Sequence, residues 1–251
     1  MKTDELTLSI IVPAYNEEKT IEKVLEDLIK IEWYKTVVLK EIIVINDGSK
    51  DKTEELVLKM KSKSNKINLI NNQKNIGKSQ SVKRGILESS GDLVIVQDAD
   101  FEYDPNEINL LLKELVEKDL DVVYGNRFGR KNKVIYWHNY YGNKLLSIFS
   151  NLFTYFRIKK YIPDMEVCYK LIKGQIARDI ALKIESNKSN FGIEPEITAK
   201  LSKYKIGQNH LKFGVVPISY YPRTIAEGKK IKAIKDGIKA LKEIIIFNLI
   251  R

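Results

Sequence analysis

The sequence predicts an α/β fold with a largely parallel sheet flanked by helices, because strand-like and helix-like segments alternate through its first half. Short apolar runs rich in β-branched residues are typical of buried strands. These runs are Leu8–Val12, Glu41–Ile45, Asn68–Ile70, Leu93–Val96 and Asp121–Tyr124. The alternation favours parallel pairing, since each helix carries the chain back to the edge where the previous strand began.

The segments between these runs carry apolar residues on one helical face. In the first such segment the face consists of Ile21, Val24, Leu25, Leu28 and Ile29. Pro105 suits the first turn of a later helix, because no backbone N–H is needed there. The apolar face of that helix consists of Ile108, Leu111, Leu112 and Leu115. Both segments are therefore predicted to be crossover helices between strands.

Length and composition limit the class of protein. The chain has 251 residues, of which 43% are hydrophobic, which suffices for a sizeable core. We expect one domain over residues 1–222, with residues 223–251 as a basic, amphipathic, helical C-terminal appendage of that domain. A single cysteine, Cys168, and two histidines exclude a disulfide scaffold and a metal site built from His and Cys. A bound metal would need oxygen ligands.

Positive charge is concentrated at the end of the chain. The formal net charge is +10, and residues 223–251 hold eight basic and three acidic residues. Such a run indicates nucleic acid, an anionic membrane surface or a phosphate-bearing substrate as partner, or else a solvated surface helix. We expect no nucleic-acid partner, because no binding motif is present and the acidic stretch Asp98–Asp104 would repel a phosphate backbone.

The second half contains two amphipathic patterns. The first is an apolar stripe followed by basic residues: Leu145, Ile148, Phe149, Leu152, Phe153 and Phe156, then Arg157, Lys159 and Lys160. From the pattern alone we favour a helix packed on the sheet. The alternative is a helix in a membrane interface, with aromatic residues inward and basic residues at the headgroups. The second stripe lies in the tail: Ile231, Ile234, Ile238, Leu241 and Ile245.

The sequence predicts neither a membrane-spanning helix nor a signal peptide. No apolar run approaches the roughly 18 residues that span a bilayer. The acidic start of the chain does not resemble a signal peptide. We therefore expect a cytoplasmic protein that is soluble or peripheral at the inner face of the membrane.

Asp98 and Asp100 directly follow a predicted buried strand, Leu93–Val96. Placing two carboxylates at the end of a buried strand costs free energy unless a positive charge compensates them. A bound Mg²⁺ or Mn²⁺ would provide that charge. Glu102 lies two residues further and could join or support the site. The alternative is an exposed acidic turn, because two aspartates separated by one residue are a frequent pattern.

Two further loops follow predicted strands and contain glycine. Asn46–Ser49 precedes a helix and is compatible either with turn and cap chemistry or with a ligand site. In the loop 75–79, Gly77 allows close approach of the backbone, and Lys78 could meet a phosphate at the start of the next helix. The loop lacks the upstream glycine of a P-loop.

Taken in order, these motifs resemble the family-2 glycosyltransferases, whose fold is the Rossmann-like GT-A fold. The first-half motifs are Val12-Pro13-Ala14-Tyr15-Asn16-Glu17, Asn46-Asp47-Gly48-Ser49, Asn75-Ile76-Gly77-Lys78 and Gln97-Asp98-Ala99-Asp100. The second half resembles the dolichyl-phosphate mannose synthase branch, which transfers sugars to polyprenyl phosphates. Its motifs are Gly125-Asn126-Arg127, Asp164-Met165, Glu194-Pro195-Glu196, Pro217 to Arg223 and Glu227-Gly228-Lys229-Lys230.

The resemblance implies a role for each matching position. The nucleoside of a nucleotide-sugar donor would contact Pro13, Tyr15, Glu17 and Asp47, and Lys78 would join the donor site. The metal that bridges the two donor phosphates would be held by Asp98, Asp100 and Glu102. The phosphate of a polyprenyl-phosphate acceptor would be bound by Arg127, Arg223 and Lys230.

We therefore expect a metal-dependent, inverting transfer of a hexose from a GDP-mannose or UDP-glucose type of donor to a polyprenyl or dolichyl phosphate. Asp100, Asp164 and Arg127 are the expected catalytic residues. In the alternative, the acceptor is a sugar hydroxyl of a growing surface glycan, with Asp164 as base and Glu194 or Glu196 behind it. A non-catalytic partner subunit is a further alternative, against which the pair Asp98 and Asp100 argues.

Overall fold

The computed structural model describes residues 5–186, 193–224 and 233–250, with the backbone alone for 233–236. In these residues the β-branched runs form a seven-stranded sheet with the order β3-β2-β1-β4-β6-β5-β9. Its strands are β1 (Leu6–Ala14), β2 (Val37–Asn46), β3 (Ile67–Asn71), β4 (Leu93–Val96), β5 (Val122–Asn126), β6 (Lys170–Lys173) and β9 (Phe213–Pro217). Two short strands, β7 (Lys205–Ile206) and β8 (Asn209–His210), pair separately.

The sheet is parallel from β3 to β4 and mixed beyond it. Within the parallel part, β1 pairs with β2 and β4, and β2 pairs with β3. β6 runs antiparallel to β4 and to β5, whereas β9 is parallel to β5. The predicted α/β class and largely parallel sheet are confirmed. The antiparallel β6 was not expected, because its sequence carries no orientation signal.

Helices cover the sheet. They are α1 (Ile21–Lys30), α2 (Thr53–Lys63), α3 (Lys78–Glu88), α4 (Ile108–Glu117), α5 (Trp137–Ile158), α6 (Gly174–Leu182), α7 (Ile193–Lys203) and α8 (Ala233–Ile245). A short 3₁₀ turn, Pro105–Glu107, precedes α4, and the Asp104 side chain accepts from the backbone N–H of Asn106 at 2.9 Å. Both predicted crossover helices are therefore present, and Pro105 starts the turn that leads into the second one.

The expectation that the apolar stripe of α5 packs on the sheet is wrong. The buried side of α5 consists of small and polar residues together with its last residue: Ser147, Ser150, Asn151, Thr154 and Ile158. Leu145 is 67% exposed and Phe156 is 83% exposed. Small side chains let α5 approach α7 and α8 closely, so the large apolar residues point outward.

The predicted tail helix corresponds to α8, which continues into a π-helical stretch, Ile246–Ile250. Its contact with the rest of the protein is made by Ala240, Ile244 and Phe247, whereas Ile238, Leu241 and Ile245 of the predicted stripe are exposed. Ile231 and the backbone-only Ile234 lie outside the described side chains. Among the described residues, no helix combines the length and hydrophobicity that crossing a membrane requires. The domain boundary at residue 222 stays a prediction.

Candidate active site

A cavity of about 1030 Å³ opens where β1, β2 and β4 end. Parallel strands end at one edge of a sheet, so the loops that follow them converge there. Eleven residues predicted from the sequence line this cavity: Pro13, Tyr15, Glu17, Asp47, Lys78, Asp98, Asp100, Glu102, Arg127, Glu194 and Arg223. The sheet topology therefore brings the expected donor, metal and acceptor residues together, and their individual roles remain proposals.

Three other predicted residues stand apart from this group. Asp164 and Glu196 are fully buried and are not part of the described lining of the cavity. The carboxylate of Glu196 accepts from the backbone N–H groups of Glu185 and Ser186, at 2.7 and 2.9 Å, and so fixes the chain that follows α6. Lys230 lies outside the described residues.

Asp47 ties the loop after β2 to the start of α3. Its carboxylate accepts from the backbone N–H groups of Ile76 and Gly77 and from the side-chain amide of Asn72, each at 2.9 Å. Gly48 follows with a φ of 70°, and a Cβ there would lie 2.8 Å from the backbone of Lys74. Glycine is thus required at position 48 both by the positive φ and by the lack of room for a Cβ. The loop therefore forms a fixed wall of the cavity.

Lys78 joins two carboxylates at the inner end of the cavity. Its Nζ lies 2.6 Å from Asp98 Oδ1 and 3.9 Å from Glu194 Oε1. Burial lowers the pKa of Lys78, but the surrounding negative charge, led by Asp98, and the hydrogen bond to Asp98 together outweigh this effect and hold that pKa well above its usual range. The ammonium is therefore charged in this site and is available to an anionic group of a ligand.

Asp100 is paired with Arg223. Arg223 Nη2 donates to Asp100 Oδ2 at 2.5 Å, and the arginine backbone N–H donates to Glu102 Oε1 at 2.9 Å. Burial, followed by the charges of Asp98 and Glu102, raises the pKa of Asp100 to about 7. Arg223 thus partly offsets the negative charge of Asp100 and Glu102. Although the sequence predicts that Arg223 binds the acceptor phosphate, it lies here against two of the predicted metal ligands.

Arg127 is held by Asp164 in a bidentate pair. The Nε and Nη2 groups of Arg127 donate to the two carboxylate oxygens of Asp164, each at 2.7 Å. The backbone N–H of Arg127 also donates to Asp164 Oδ2 at 3.0 Å, and the guanidinium lies 5.0 Å from the ring centroid of Tyr220. Both oxygens of Asp164 are therefore engaged, which suits a residue that orients Arg127 better than one that accepts a substrate proton.

Two further acidic residues face the cavity: the half-buried Glu166 and the buried Glu194. Burial raises the pKa of Glu166 to about 8, and the charge of Glu194 adds to this shift. Lys170 lies nearby, and its ammonium donates to the backbone carbonyl of Val167. Sequence reasoning missed Glu166 and Lys170. The spacing of Asp164 and Glu166, which repeats that of Asp98 and Asp100, was the available signal.

The carboxylate oxygens of Asp98 and Asp100 are of the ligand type that a divalent cation such as Mg²⁺ or Mn²⁺ prefers. Among the residues that the structure describes, no group of three or more His, Cys, Asp and Glu side chains is arranged to hold a metal ion. Asp98 and Asp100 nevertheless offer two oxygen ligands, and the raised pKa of Asp100 reflects its burial together with the charges of Asp98 and Glu102, effects that a bound cation would offset. A hard cation commonly takes one or two carboxylates and completes its ligands from phosphate and water.

A comparison with known protein families decides the family of the chain. Residues 9–180 match the model of "Glycosyl transferase family 2". The chain belongs to this family. The resemblance noted in the sequence motifs is confirmed, and the carboxylates and arginines of this family-2 glycosyltransferase lie in the cavity where its parallel strands end.

Named relatives support the likeness to the polyprenyl-phosphate branch. The chain is 30% identical to a dolichyl-phosphate beta-glucosyltransferase of Dictyostelium discoideum over 96% of its own length and 74% of the relative. It is 29% identical to a dolichol-phosphate mannosyltransferase of Pyrococcus furiosus over 84% of its own length and 57% of the relative.

The fold of this glycosyltransferase is also found in solved structures. Glucosyl-3-phosphoglycerate synthase from Mycobacterium tuberculosis, crystallised with Mn²⁺, UDP and glucosyl-3-phosphoglycerate, superposes with a TM-score of 0.67. The match covers 98% of this chain and 81% of the synthase at 16% identity. At that identity the likeness shows the shared fold.

Proposed function

We propose that this glycosyltransferase moves a hexose from a nucleotide diphosphate sugar to a polyprenyl or dolichyl phosphate, with inversion at the anomeric carbon. The observation that carries the proposal is one cavity that holds Asp98, Asp100 and Lys78 beside two arginines, Arg127 and Arg223. The first group suits a metal-bound diphosphate, and the arginines suit a second phosphate. Relatives named for transfer to dolichyl phosphate support the same acceptor.

On the donor side, Asp98 and Asp100, with Glu102 behind them, would hold Mg²⁺ or Mn²⁺. Mn²⁺ and UDP are present together in the mycobacterial synthase of the same fold, which supports this assignment. A divalent cation supplies Lewis-acid stabilisation of the charge on a leaving nucleoside diphosphate. Lys78 would bind a donor phosphate directly. Pro13, Tyr15, Glu17 and Asp47 would contact the nucleoside.

On the acceptor side, Arg127 and Arg223 would position the lipid phosphate, and Lys230 would join them. A phosphate monoester is already anionic at neutral pH, so the attacking oxygen needs no general base. Asp164 holds Arg127 in a fixed orientation through two hydrogen bonds. In this proposal Asp164 is a positioning residue, and catalysis depends on orientation and charge.

Transfer to a sugar hydroxyl is the less favoured acceptor chemistry. A hydroxyl must lose its proton during the attack, which requires a carboxylate within reach of the acceptor. The carboxylate oxygens of Asp164 already accept from Arg127, and Asp164 is fully buried away from the cavity. These contacts argue for the phosphate acceptor, which makes no such demand.

We further propose that the protein is cytoplasmic and binds peripherally to an anionic inner membrane face through α5. The outward face of α5 carries exposed apolar residues along its whole length: Trp137, Tyr141, Leu145, Ile148, Leu152, Tyr155 and Phe156. Exposed apolar patches of this extent mark interaction surfaces. Tyr136 to Tyr140, at the start of α5, line the cavity, so a lipid entering from this face would reach the arginines.

The test is sugar transfer with defined donors and acceptors. Wild-type protein is incubated with GDP-mannose or UDP-glucose, Mg²⁺ or Mn²⁺, and either a short polyprenyl phosphate or the matching polyprenol. We expect glycolipid to form only with the phosphate and only with a divalent cation. Arg127→Lys should lower this rate about 100-fold, because lysine lacks the bidentate geometry.

Arg178→Lys on α6 is the matched control, since Arg178 donates to backbone carbonyls outside the cavity. This variant should keep the wild-type rate. Transfer to a glycan hydroxyl that proceeds equally well without any lipid phosphate would contradict the proposed acceptor. Transfer that persists fully in EDTA would contradict the metal requirement.

A further inference from the structure

We propose that Glu166 and Glu194 form the subsite that binds the hydroxyl groups of the transferred hexose. This inference rests on the proposed function, because it assigns a place to the sugar of the nucleotide-sugar donor. Both residues come from the second half of the chain, Glu166 from the segment after α5 and Glu194 from the start of α7. Both line the cavity.

Each of the two carboxylates has one oxygen to offer. Glu194 is 8% exposed, and its Oε2 has no hydrogen-bond partner among the described residues. Glu166 Oε1 is likewise buried without a partner in the described part of the chain. A buried acceptor left without a donor costs free energy, so a ligand that supplies donors at these two atoms gains that amount on binding.

The charges around the pair select the kind of donor that fits. The carboxylates of Glu194 and Asp98 disfavour an anion such as phosphate at this end of the cavity, whereas Glu166, whose pKa burial raises to about 8, is mostly protonated and neutral at pH 7. Lys78 already supplies positive charge to the pair, since Lys78 Nζ lies 3.9 Å from Glu194 Oε1. Neutral hydroxyl groups remain as donors that satisfy the carboxylates without disturbing this balance.

The position of the pair matches the sugar of a nucleotide diphosphate sugar. Lys78 contacts Asp98 at 2.6 Å on one side and approaches Glu194 on the other, so the pair adjoins the carboxylate expected at the diphosphate. A hexose linked to the terminal phosphate would extend from that carboxylate toward the pair. Two hydroxyl acceptors at fixed positions would also discriminate between epimers, because an epimer moves one hydroxyl away from its partner.

The test compares a sugar nucleotide with the same nucleotide lacking the sugar. Dissociation constants of UDP-glucose and UDP, and of GDP-mannose and GDP, are measured by titration calorimetry with Mg²⁺ and no acceptor. We expect Glu194→Gln and Glu166→Gln each to weaken binding of the sugar nucleotide about tenfold. The affinity for the nucleoside diphosphate should change less than about twofold, because it does not reach the pair. Omitting the acceptor removes any contribution of a general base.

Glu88→Gln, an exposed glutamate at the end of α3, is the matched control and should leave both constants unchanged. Retained binding of the nucleoside diphosphate shows that a variant is folded, and the two variants are independent of each other. Equal weakening of UDP and UDP-glucose, or no weakening of either, would overturn the subsite. If wild-type protein binds no sugar nucleotide at all, the proposed function itself fails.

Discussion

Residues 5–96 of the first half and residues 122–250 of the second half differ in how many charged side chains they bury, and Asp100 and Asp121, which lie between these two segments, are buried as well. Between residues 5 and 96, which the structure describes without a gap, Asp47 is the one buried charged residue. In the described part of residues 122–250, four charged residues are buried: Asp164, Lys170, Glu194 and Glu196. The same part exposes Leu145, Leu152 and Phe156 along α5.

This difference separates a region that buries few charged side chains from one that buries several of them and also exposes an apolar helix face. Burying a charge and exposing a large apolar side chain both cost free energy, so neither feature accumulates without a compensating partner. In the first half, Asp47 is compensated by uncharged hydrogen-bond donors. In the second half, Asp164 is compensated by the opposite charge of Arg127. The exposed face of α5 has no compensating partner among the described residues.

The largest effect on stability is expected at Asp164 in the second half. Asp164→Asn removes the buried negative charge and leaves the guanidinium of Arg127, 10% exposed, without its counter-charge. We expect the free energy of unfolding to fall by about 3–5 kcal/mol, the usual cost of breaking a buried ion pair from one side. Urea-induced unfolding followed by circular dichroism measures it.

The control for this change is Asp119→Asn. Asp119 pairs with Lys212 at 2.6 Å on the surface, and asparagine tolerates its φ of 47°. Loss of this exposed pair should cost less than about 1 kcal/mol. Equal losses for the two variants would show that the bidentate pair contributes no more than a surface contact.

Asp47 provides the corresponding test in the first half, with a smaller effect. Asp47→Asn keeps the size of the side chain but turns an amide N–H₂ toward one of the backbone N–H donors, Ile76 or Gly77. One buried donor then lacks an acceptor, which should cost about 1–3 kcal/mol. The same unfolding measurement applies. Asp27→Asn, which breaks an exposed pair with Lys23 on α1, is its control and should change stability by less than about 0.5 kcal/mol.

The smallest effect on stability is expected on the outer face of α5. Leu152→Ser replaces a side chain that is 66% exposed, so unfolding should change by less than about 0.5 kcal/mol. Co-sedimentation with vesicles containing phosphatidylglycerol should nevertheless weaken about tenfold, because one leucine no longer enters the interface. Leu58→Ser on α2 is the control, because it makes the same substitution at an exposed leucine of the first half. If both variants sediment like wild type, α5 does not contact the membrane.

Sequence patterns predicted the parallel half of the fold closely. The run Leu93–Val96 forms β4 with the predicted bounds, and Leu8–Val12 and Glu41–Ile45 lie inside β1 and β2. These strands are buried on both faces, so their composition alone identifies them. Loops after such strands meet at one edge, which is why the residues expected around a donor and a metal line one cavity.

The second half was harder to predict because its contacts join distant residues. The apolar stripe of α5 has the period of a packed helix, but helical period does not say which face is buried. Arg223 lies against Asp100, 123 residues away in the chain, and Asp164 lies against Arg127 over a separation of 37 residues. No local pattern indicates either pair. The interpretation of Asp164 as a base therefore did not include the contact of its carboxylate with Arg127.

By itself, the sequence determined the alternating elements, the strand-end loops and the family to which their order belongs, because period, turn residues and short motifs act within a few residues of each other. Only the tertiary structure decided which charges pair, which face of α5 is left outside, and that Glu166 and Glu194 face the cavity together. The physical reason is that electrostatic and packing free energies depend on distances in space and on burial, and both are set after the chain has folded.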